Sequence, residues 1–265
     1  MVLIIKDYKS VSKILPNSLV LGDCLEVMKL IPDESVDFVL CDLPYGNTAC
    51  SWDTVLPFNV LWQEYERIIK PLGTFALFGT EPFASFLRLS NIKLYKYDWI
   101  YEKTMASGFL NAKNKPLRAH ENICIFSKGT TANGSKKRML YNPQMEEGEP
   151  YRKIQKNDPR VGYVDRGTRK EWVGISENKG TRYPRTVIKF SNNNHGSLHP
   201  TQKPIPLCEY MVRTYTVVGD VVLDNTMGSG SSIAAAKNLN RQFIGIELDE
   251  NYFDISVKEL ESHDG

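Results

Sequence analysis

Short, nearly unbroken apolar runs recur along this chain, and most are followed by stretches with helical apolar spacing. Val36-Asp37-Phe38-Val39-Leu40-Cys41, Thr74–Phe78 and Val221-Val222-Leu223-Asp224 are rich in β-branched and aromatic residues and lack polar alternation. That is the pattern of parallel strands buried on both faces. Shorter runs at Leu19–Leu21, Trp99–Tyr101, Ile123–Phe126 and Phe243–Glu247 predict further strands. Helices are predicted over Cys24–Ile31, ending at Pro32, and over Leu56–Ile69, stopped by Lys70-Pro71-Leu72-Gly73. Others are predicted over Pro82–Leu89, with proline in the first turn, Lys203–Thr216, the Ala-rich Ser229–Leu239 and Glu250–Leu260. Strands alternating with helices predict an α/β fold around a mostly parallel sheet.

The pattern lapses over residues 129–195, which are rich in Gly, Asn, Lys, Arg and Tyr with little periodicity. A loop-rich stretch this long inside a compact domain is usually functional or disordered. The chain therefore divides into residues 1–128, an insert at 129–195, and 196–265, the outer two being halves of one domain. Charge sharpens the division. Lys128 to Lys189 holds 15 Lys+Arg against 7 Asp+Glu, a balance of +8; the whole chain carries only +2, so the remainder carries −6. A basic segment sits on an acidic body, which the net charge hides.

Composition adds little beyond this. A chain that is 42% hydrophobic and 24% charged reads as an ordinary soluble globular protein. Its five cysteines (Cys24, Cys41, Cys50, Cys124, Cys208) have no metal-type spacing and read as reduced thiols, several of them in the core. The opening Met-Val-Leu-Ile-Ile-Lys is too short for a signal peptide or membrane span, so a cytoplasmic location is expected, with no membrane partner.

Candidate chemistry gathers at strand ends. Asp42-Leu43-Pro44-Tyr45-Gly46 follows the strand Val36–Cys41, and in open α/β sheets ligands bind at the carboxyl ends of strands. A carboxylate, a proline-restrained backbone and a flat ring could hold a planar amine such as a nucleobase; alone, Asp42 also reads as a turn residue and Tyr45 as a packing ring. Asp224-Asn225-Thr226-Met227-Gly228-Ser229-Gly230 joins a strand to a helix, and Glu247 ends the next strand. Glycines let the backbone approach a ligand, and an acid about 20 residues on suits ribose hydroxyls. Without Gly-Lys-Ser/Thr the turn is not a P-loop, and without Gly-x-Gly-x-x-Gly it is not a dehydrogenase fingerprint. His199-Pro200-Thr201-Gln202-Lys203-Pro204 presents hydroxyl, amide and ammonium groups together, or simply a proline-bounded helix entry. Asp23, after another strand, could accept from an adenine amine or cap a helix.

Taken in order, these pieces resemble the beta class of amino-methylating DNA methyltransferases. In that class an Asp-Pro-Pro-Tyr motif precedes a target-recognition insert, a His-Pro-Thr-Gln-Lys-Pro-like segment and an Asp-Pro-Phe-x-Gly-Ser-Gly loop. Trp99-Ile100-Tyr101-Glu102-Lys103 and Arg118-Ala119-His120-Glu121-Asn122 also look like family landmarks. The resemblance implies a Rossmann-like, S-adenosylmethionine-dependent methyltransferase sheet with circularly permuted motif order. It implies transfer of a methyl group to the N6 amine of a flipped-out adenine in double-stranded DNA, leaving S-adenosylhomocysteine, with no metal. Asp42, Leu43, Pro44 and Tyr45 would be catalytic. Asp224, Met227, Gly228, Ser229 and Gly230 would hold the methionine part of the cofactor, Glu247 the ribose, Thr201 and Lys203 the methionine carboxylate, and Asp23 the adenine. Lys136, Lys137, Arg138, Arg152, Lys153, Arg166, Arg169, Lys170, Arg182 and Arg185 are candidates to grip phosphates. A homodimer and a restriction endonuclease are the protein partners that the resemblance raises.

Two positions depart from the family. Leu43 stands where proline is usual, yet Pro44 still restrains it to an extended conformation and its carbonyl remains available. Asn225-Thr226-Met227 stands where Pro-Phe is usual, with Met227 a candidate to pack on the ligand. N4-cytosine methylation is the rival reading; relatives acting on cytosine tend to carry serine at the position of Asp42. RNA as substrate and a catalytically inactive nucleic-acid-binding module are the remaining alternatives.

Overall fold

The structure, a computed structural model, describes residues 2–46, 55–156, 173–192 and 202–262. Its strands are β1 (Leu3–Ile5), β2 (Ser18–Leu21), β3 (Val36–Cys41), β4 (Ile69–Gly79), β5 (Tyr95–Ser107), β6 (Arg118–Ser127), β7 (Glu146–Glu147), β8 (Tyr151–Lys156), β9 (Val173–Asn178), β10 (Thr181–Arg182), β11 (Val187–Phe190), β12 (Val221–Asp224) and β13 (Gln242–Glu247). The helices are α1 (Cys24–Met28), α2 (Phe58–Ile68), α3 (Phe83–Ser90), α4 (Ile205–Tyr215), α5 (Ser231–Asn238) and α6 (Glu250–Ser262). Nine strands form one sheet in the order β1-β2-β13-β12-β3-β4-β6-β5-β11. All run parallel except β6, which is antiparallel to both neighbours.

The apolar runs are explained by helices on both faces. Along the central strands successive side chains alternate between two cores. Val39, Cys41, Phe75, Leu77, Leu223, Ile244 and Ile246 face α1, α2 and α3, while Phe38, Leu40, Ala76, Phe78, Val222 and Phe243 face α4, α5 and α6. In α2, Leu61, Trp62, Tyr65 and Ile68 supply the buried stripe. Each fully buried side chain of this size contributes about 1.5–3 kcal/mol by leaving water.

Several elements differ in extent from the sequence reading. Lys70-Pro71-Leu72-Gly73 does not end structure but lies inside β4, which starts at Ile69. The pairing of β3 with β4 slips between Val36 and Phe38, and that irregularity accommodates Pro71. A side chain at Gly73 would meet the Asp37 carbonyl at 2.8 Å, so the glycine permits the close approach. β1 and the long outer parts of β5 and β6 were not foreseen. Nor were the strands of the basic stretch, where β8 pairs with β9 and β7 with β10.

Two compact units result. One holds residues 1–142 and 186–265, the other Pro143–Arg185. The basic stretch is therefore not wholly separate. Met139 is buried in the core of the larger unit, the Asn142 N–H donates to the Thr214 carbonyl at 2.8 Å, and β11 completes the main sheet. Among the described residues no helix is long and apolar enough to cross a membrane.

Candidate active site

The neighbouring strands β12 and β3 carry their crossovers in opposite directions. β12 leads through α5 to β13 on one side, and β3 leads through α2 to β4 on the other. Divergence of this kind opens a crevice at the carboxyl ends of the two strands, the place where doubly wound sheets bind ligands. Asp42 stands on one wall and Asp224 on the other.

On the β3 side the Asp42 carboxylate is held from two directions. Oδ1 accepts from the Tyr45 hydroxyl, and Oδ2 is paired with the Lys203 ammonium. Lys203 also faces Glu121 Oε2 at 3.3 Å and lies 5.0 Å from the centre of the Phe78 ring. Glu121 in turn pairs with Lys103. The result is an alternating row, Lys103–Glu121–Lys203–Asp42, drawn from β5, β6, the entry to α4 and the end of β3. Burial favours a neutral Lys203, but Asp42 and Glu121 outweigh it and raise its pKa above the ordinary lysine value. Burial would likewise raise Glu121, yet the Lys203 and Lys103 ammoniums bring it below the usual carboxylate range. Burial first, and then the Asp42 charge, keep the Tyr45 phenol protonated. The Tyr45 ring lies 4.9 Å from that of Phe83 and lines an open apolar pocket of about 530 Å³ with Val55, Phe58, Phe86 and Leu89. Leu43 is buried, so its side chain anchors the strand end.

On the β12 side, Asp224 is buried and accepts from the Ser232 hydroxyl and, at 3.1 Å, from the Thr226 N–H. Burial raises its pKa to about 7, against the downward pull of those bonds. Gly230 turns the chain into α5 at φ +85°, a left-handed conformation that glycine adopts without strain; a Cβ there would meet Ser256 Cβ at 3.1 Å. Ser231 begins α5 with its hydroxyl buried and without a hydrogen-bond partner among the described residues. Glu247 accepts three backbone N–H groups, from Gly228 at 2.8 Å and from Leu248 and Asp249 at 2.9 Å each. Burial raises its pKa against those donors.

Thr226, one of the departures noted in the sequence, joins the two walls. Its hydroxyl donates to the Asp42 carbonyl at 3.1 Å and meets Cys41 Sγ at 2.9 Å. Its neighbour Asn225 accepts from the Tyr65 hydroxyl at 2.5 Å. The sequence alone gives neither Thr226 nor Glu121 a role: Glu121 lies between the polar residues His120 and Asn122, just before the predicted strand Ile123–Phe126.

The other expected positions have the following surroundings. Lys203, expected beside a cofactor carboxylate, is engaged by Asp42 and Glu121, the anions nearest to it in a setting that exposes little of it to water. Met227, expected to pack on a ligand, lies in the core with its sulfur over the Gly245 backbone. Asp23 caps α1, accepting from the N–H of Leu25 at 2.8 Å and of Glu26 at 3.4 Å. Arg182 is occupied within the smaller unit by the Glu149 and Thr181 carbonyls, Asn178 and the Tyr151 ring. Arg152 pairs with Glu177 at 3.2 Å, whereas Lys136, Lys137, Arg138, Lys153 and Arg185 are exposed. Thr201 with His199 and Pro200, and Arg166, Arg169 and Lys170, lie outside the described residues. Among the described residues no three His, Cys, Asp or Glu side chains are grouped to hold a metal.

Comparison with known proteins shows the family and the fold. The DNA methylase family of N6 and N4 methyltransferases matches residues 36–258. The type II methyltransferase M.HpaI of Haemophilus parainfluenzae is 26% identical over 92% of this chain and 74% of its own length. The M1.HpyAVI complex with S-adenosylmethionine superimposes with a TM-score of 0.61 at 22% identity, covering 98% of this chain and 99% of that one. The cytosine-N4-specific PvuII DNA methyltransferase gives a TM-score of 0.64 at 15% identity over 92% and 86% of the two chains. The chain belongs to the DNA methylase family.

Proposed function

We propose, from that membership, that the enzyme transfers a methyl group from S-adenosylmethionine to the N6 amine of an adenine turned out of double-stranded DNA. The observation that carries this reading is the Thr226 bridge. It ties the backbone that presents Asp42 to the turn that would hold the methyl donor, so the two reactants meet in one crevice.

The residues of the turn fit the cofactor. Buried Asp224 is an acceptor for an ammonium group, and the unpartnered Ser231 hydroxyl and the first N–H groups of α5 suit a carboxylate. Glu247 holds Gly228 in place and keeps lone pairs for a ribose hydroxyl. When bound, S-adenosylmethionine supplies an electrophilic methyl on its sulfonium. The protein's task is then alignment more than base strength.

An adenine amine is a weak nucleophile because its lone pair is delocalised into the ring. Asp42 accepts one amine hydrogen and the Leu43 carbonyl the other, which draws the nitrogen toward tetrahedral geometry and frees its lone pair. Tyr45 stacks on the base and offsets part of the cost of extruding it, a few kcal/mol. To reach Asp42 the amine replaces Lys203 or Tyr45 on the carboxylate. Lys203 has Glu121 at 3.3 Å to receive its ammonium, and Asp42, which is 27% exposed, keeps solvent and the amine hydrogen as partners. The exposed cations Lys136, Lys137, Arg138, Lys153 and Arg185 serve phosphates, which give salt-dependent affinity without sequence choice.

Aspartate at position 42, where cytosine-modifying relatives tend to carry serine, favours adenine over cytosine. The test is incubation with labelled S-adenosylmethionine and unmethylated DNA, followed by digestion to nucleosides. N6-methyladenine is expected and N4-methylcytosine refutes the assignment. Asp42→Ala should abolish transfer while cofactor binding, measured by calorimetry, persists; a variant of undiminished activity refutes the mechanism.

A further inference from the structure

β5 and β6, accompanied by β11 only as far as Lys103, run on past the ends of the central strands. In register, Trp99 of β5 lies opposite Ile123, and Ser107, eight residues further on, lies opposite Arg118. The register slips between Glu102 and Ser107, so the rise is counted on β6: the five residues from Ile123 to Arg118, at about 3.3 Å each, carry the paired hairpin roughly 17 Å beyond the level of Asp42, from the same edge of the sheet. Its base is fastened. Asn192 accepts from the Met105 N–H at 2.8 Å and donates to the Met105 carbonyl at 3.0 Å, and the Thr104 hydroxyl donates to it as well. Its tip is ordered by backbone bonds, Asn111 N–H to Gly108 and Ala112 N–H to Phe109, after a left-handed turn at Gly108.

This ordered tip holds two large apolar side chains out in water, Phe109 at 68% exposure and Leu110 fully exposed. Around them are Lys113, Lys115 and Arg118, all exposed and in no ion pair of the described residues. From Lys103 to His120 the sequence has no Asp or Glu. Exposed apolar groups on a hydrogen-bonded turn call for a partner, and an acid-free ring of cations selects a polyanion over a second copy of this chain. Apolar wedges flanked by cations are how proteins part stacked bases.

We propose that Phe109 and Leu110 form a wedge that enters the DNA duplex and fills the gap left by the extruded base, with Lys113, Lys115 and Arg118 on the flanking phosphates. The inference rests on the base-extrusion reading above. The hairpin and Asp42 belong to one compact unit, and the Lys103–Glu121–Lys203–Asp42 row links the root of the wedge to the acceptor of the amine.

The test begins by mapping the methylated site on unmethylated plasmid DNA. Short duplexes bearing that site are then made with the target base either paired or opposite an abasic gap. Phe109→Ala with Leu110→Ala should slow single-turnover transfer to the paired duplex by about tenfold or more, and to the gapped duplex by less than about twofold, because the gap removes the unpairing cost. Phe109→Tyr with Leu110→Met should keep the wild-type rate on both. Equal loss on the two duplexes, loss on neither, or a fall in solution mass with the double alanine variant overturns the wedge, the last in favour of a second copy as occupant. Plasmid DNA left unmethylated by the wild-type protein at the mapping step overturns the DNA-methylation reading itself, which separates the two failures.

Discussion

Asp224→Asn is the substitution that most directly probes the buried carboxylate of the cofactor turn. Burial raises this group from the ordinary aspartate value to about 7. Between about pH 4 and pH 7 the folded protein therefore holds a proton that the unfolded chain has released. Stability attributable to Asp224 falls with rising pH through that window and is level above it. Asparagine has the same shape, keeps an oxygen for the Thr226 N–H, and can donate to the Ser232 hydroxyl, which rotates to receive it. A shift of roughly three units corresponds to about 4 kcal/mol, an upper bound before the site relaxes. Urea denaturation of both proteins across pH 4–8 should give near-equal stability at the acid end. The variant's advantage should grow by up to about 1.4 kcal/mol per pH unit and flatten above pH 7. The same variant should bind S-adenosylmethionine about ten- to a hundredfold more weakly, having lost a charged acceptor for the ammonium. A stability difference independent of pH, or a variant less stable at pH 8, would refute the reasoning.

The two walls of the crevice can be uncoupled separately. Thr226→Val removes the hydroxyl that donates to the Asp42 carbonyl, so the maximal transfer rate should fall about fivefold, roughly 1 kcal/mol, with cofactor affinity little changed; an unchanged rate would show that the bridge is idle. Lys203→Met leaves Asp42 and Glu121 without the cation between them and should cost about 3 kcal/mol in chemical denaturation. Adding Glu121→Gln should recover part of that loss, and strict additivity of the two substitutions would argue against a shared ion-pair row.

How far the sequence reaches depends on how a residue earns its place. β3 and β12 are read to the residue because strands buried on both faces must be apolar at every position. β4 is read late, from Thr74, because Pro71 and Gly73 signal a break that a local slip in pairing absorbs. β8 and β9 escape because pattern reading needs one buried face, and Tyr151, Arg152, Lys153 and Ile154 are all exposed. The motif residues Asp42 and Asp224 are legible as acids at strand ends, but the partner of a cation is not. Nothing local in Gln202-Lys203-Pro204 announces a carboxylate 161 residues earlier in the chain. Thr226 is legible only as a departure from the family loop, because its contact with Asp42 exists only once β12 lies against β3.

The strand order has a consequence for synthesis. β2 and β3 are neighbours along the chain, yet β13 and β12, made some two hundred residues later, lie between them in the sheet. Until Val221–Glu247 has left the ribosome, the inner edges of β2 and β3 have nothing to pair with. Such long-range pairing is slow, and it leaves strand edges open while it waits. The crevice between β12 and β3 closes last, and with it the meeting of Asp42 and the Asp224 turn. A chain unfinished before Val221 thus carries Asp42 and Tyr45 without the Asp224 turn, and the two halves of the crevice can meet only once that late segment is made.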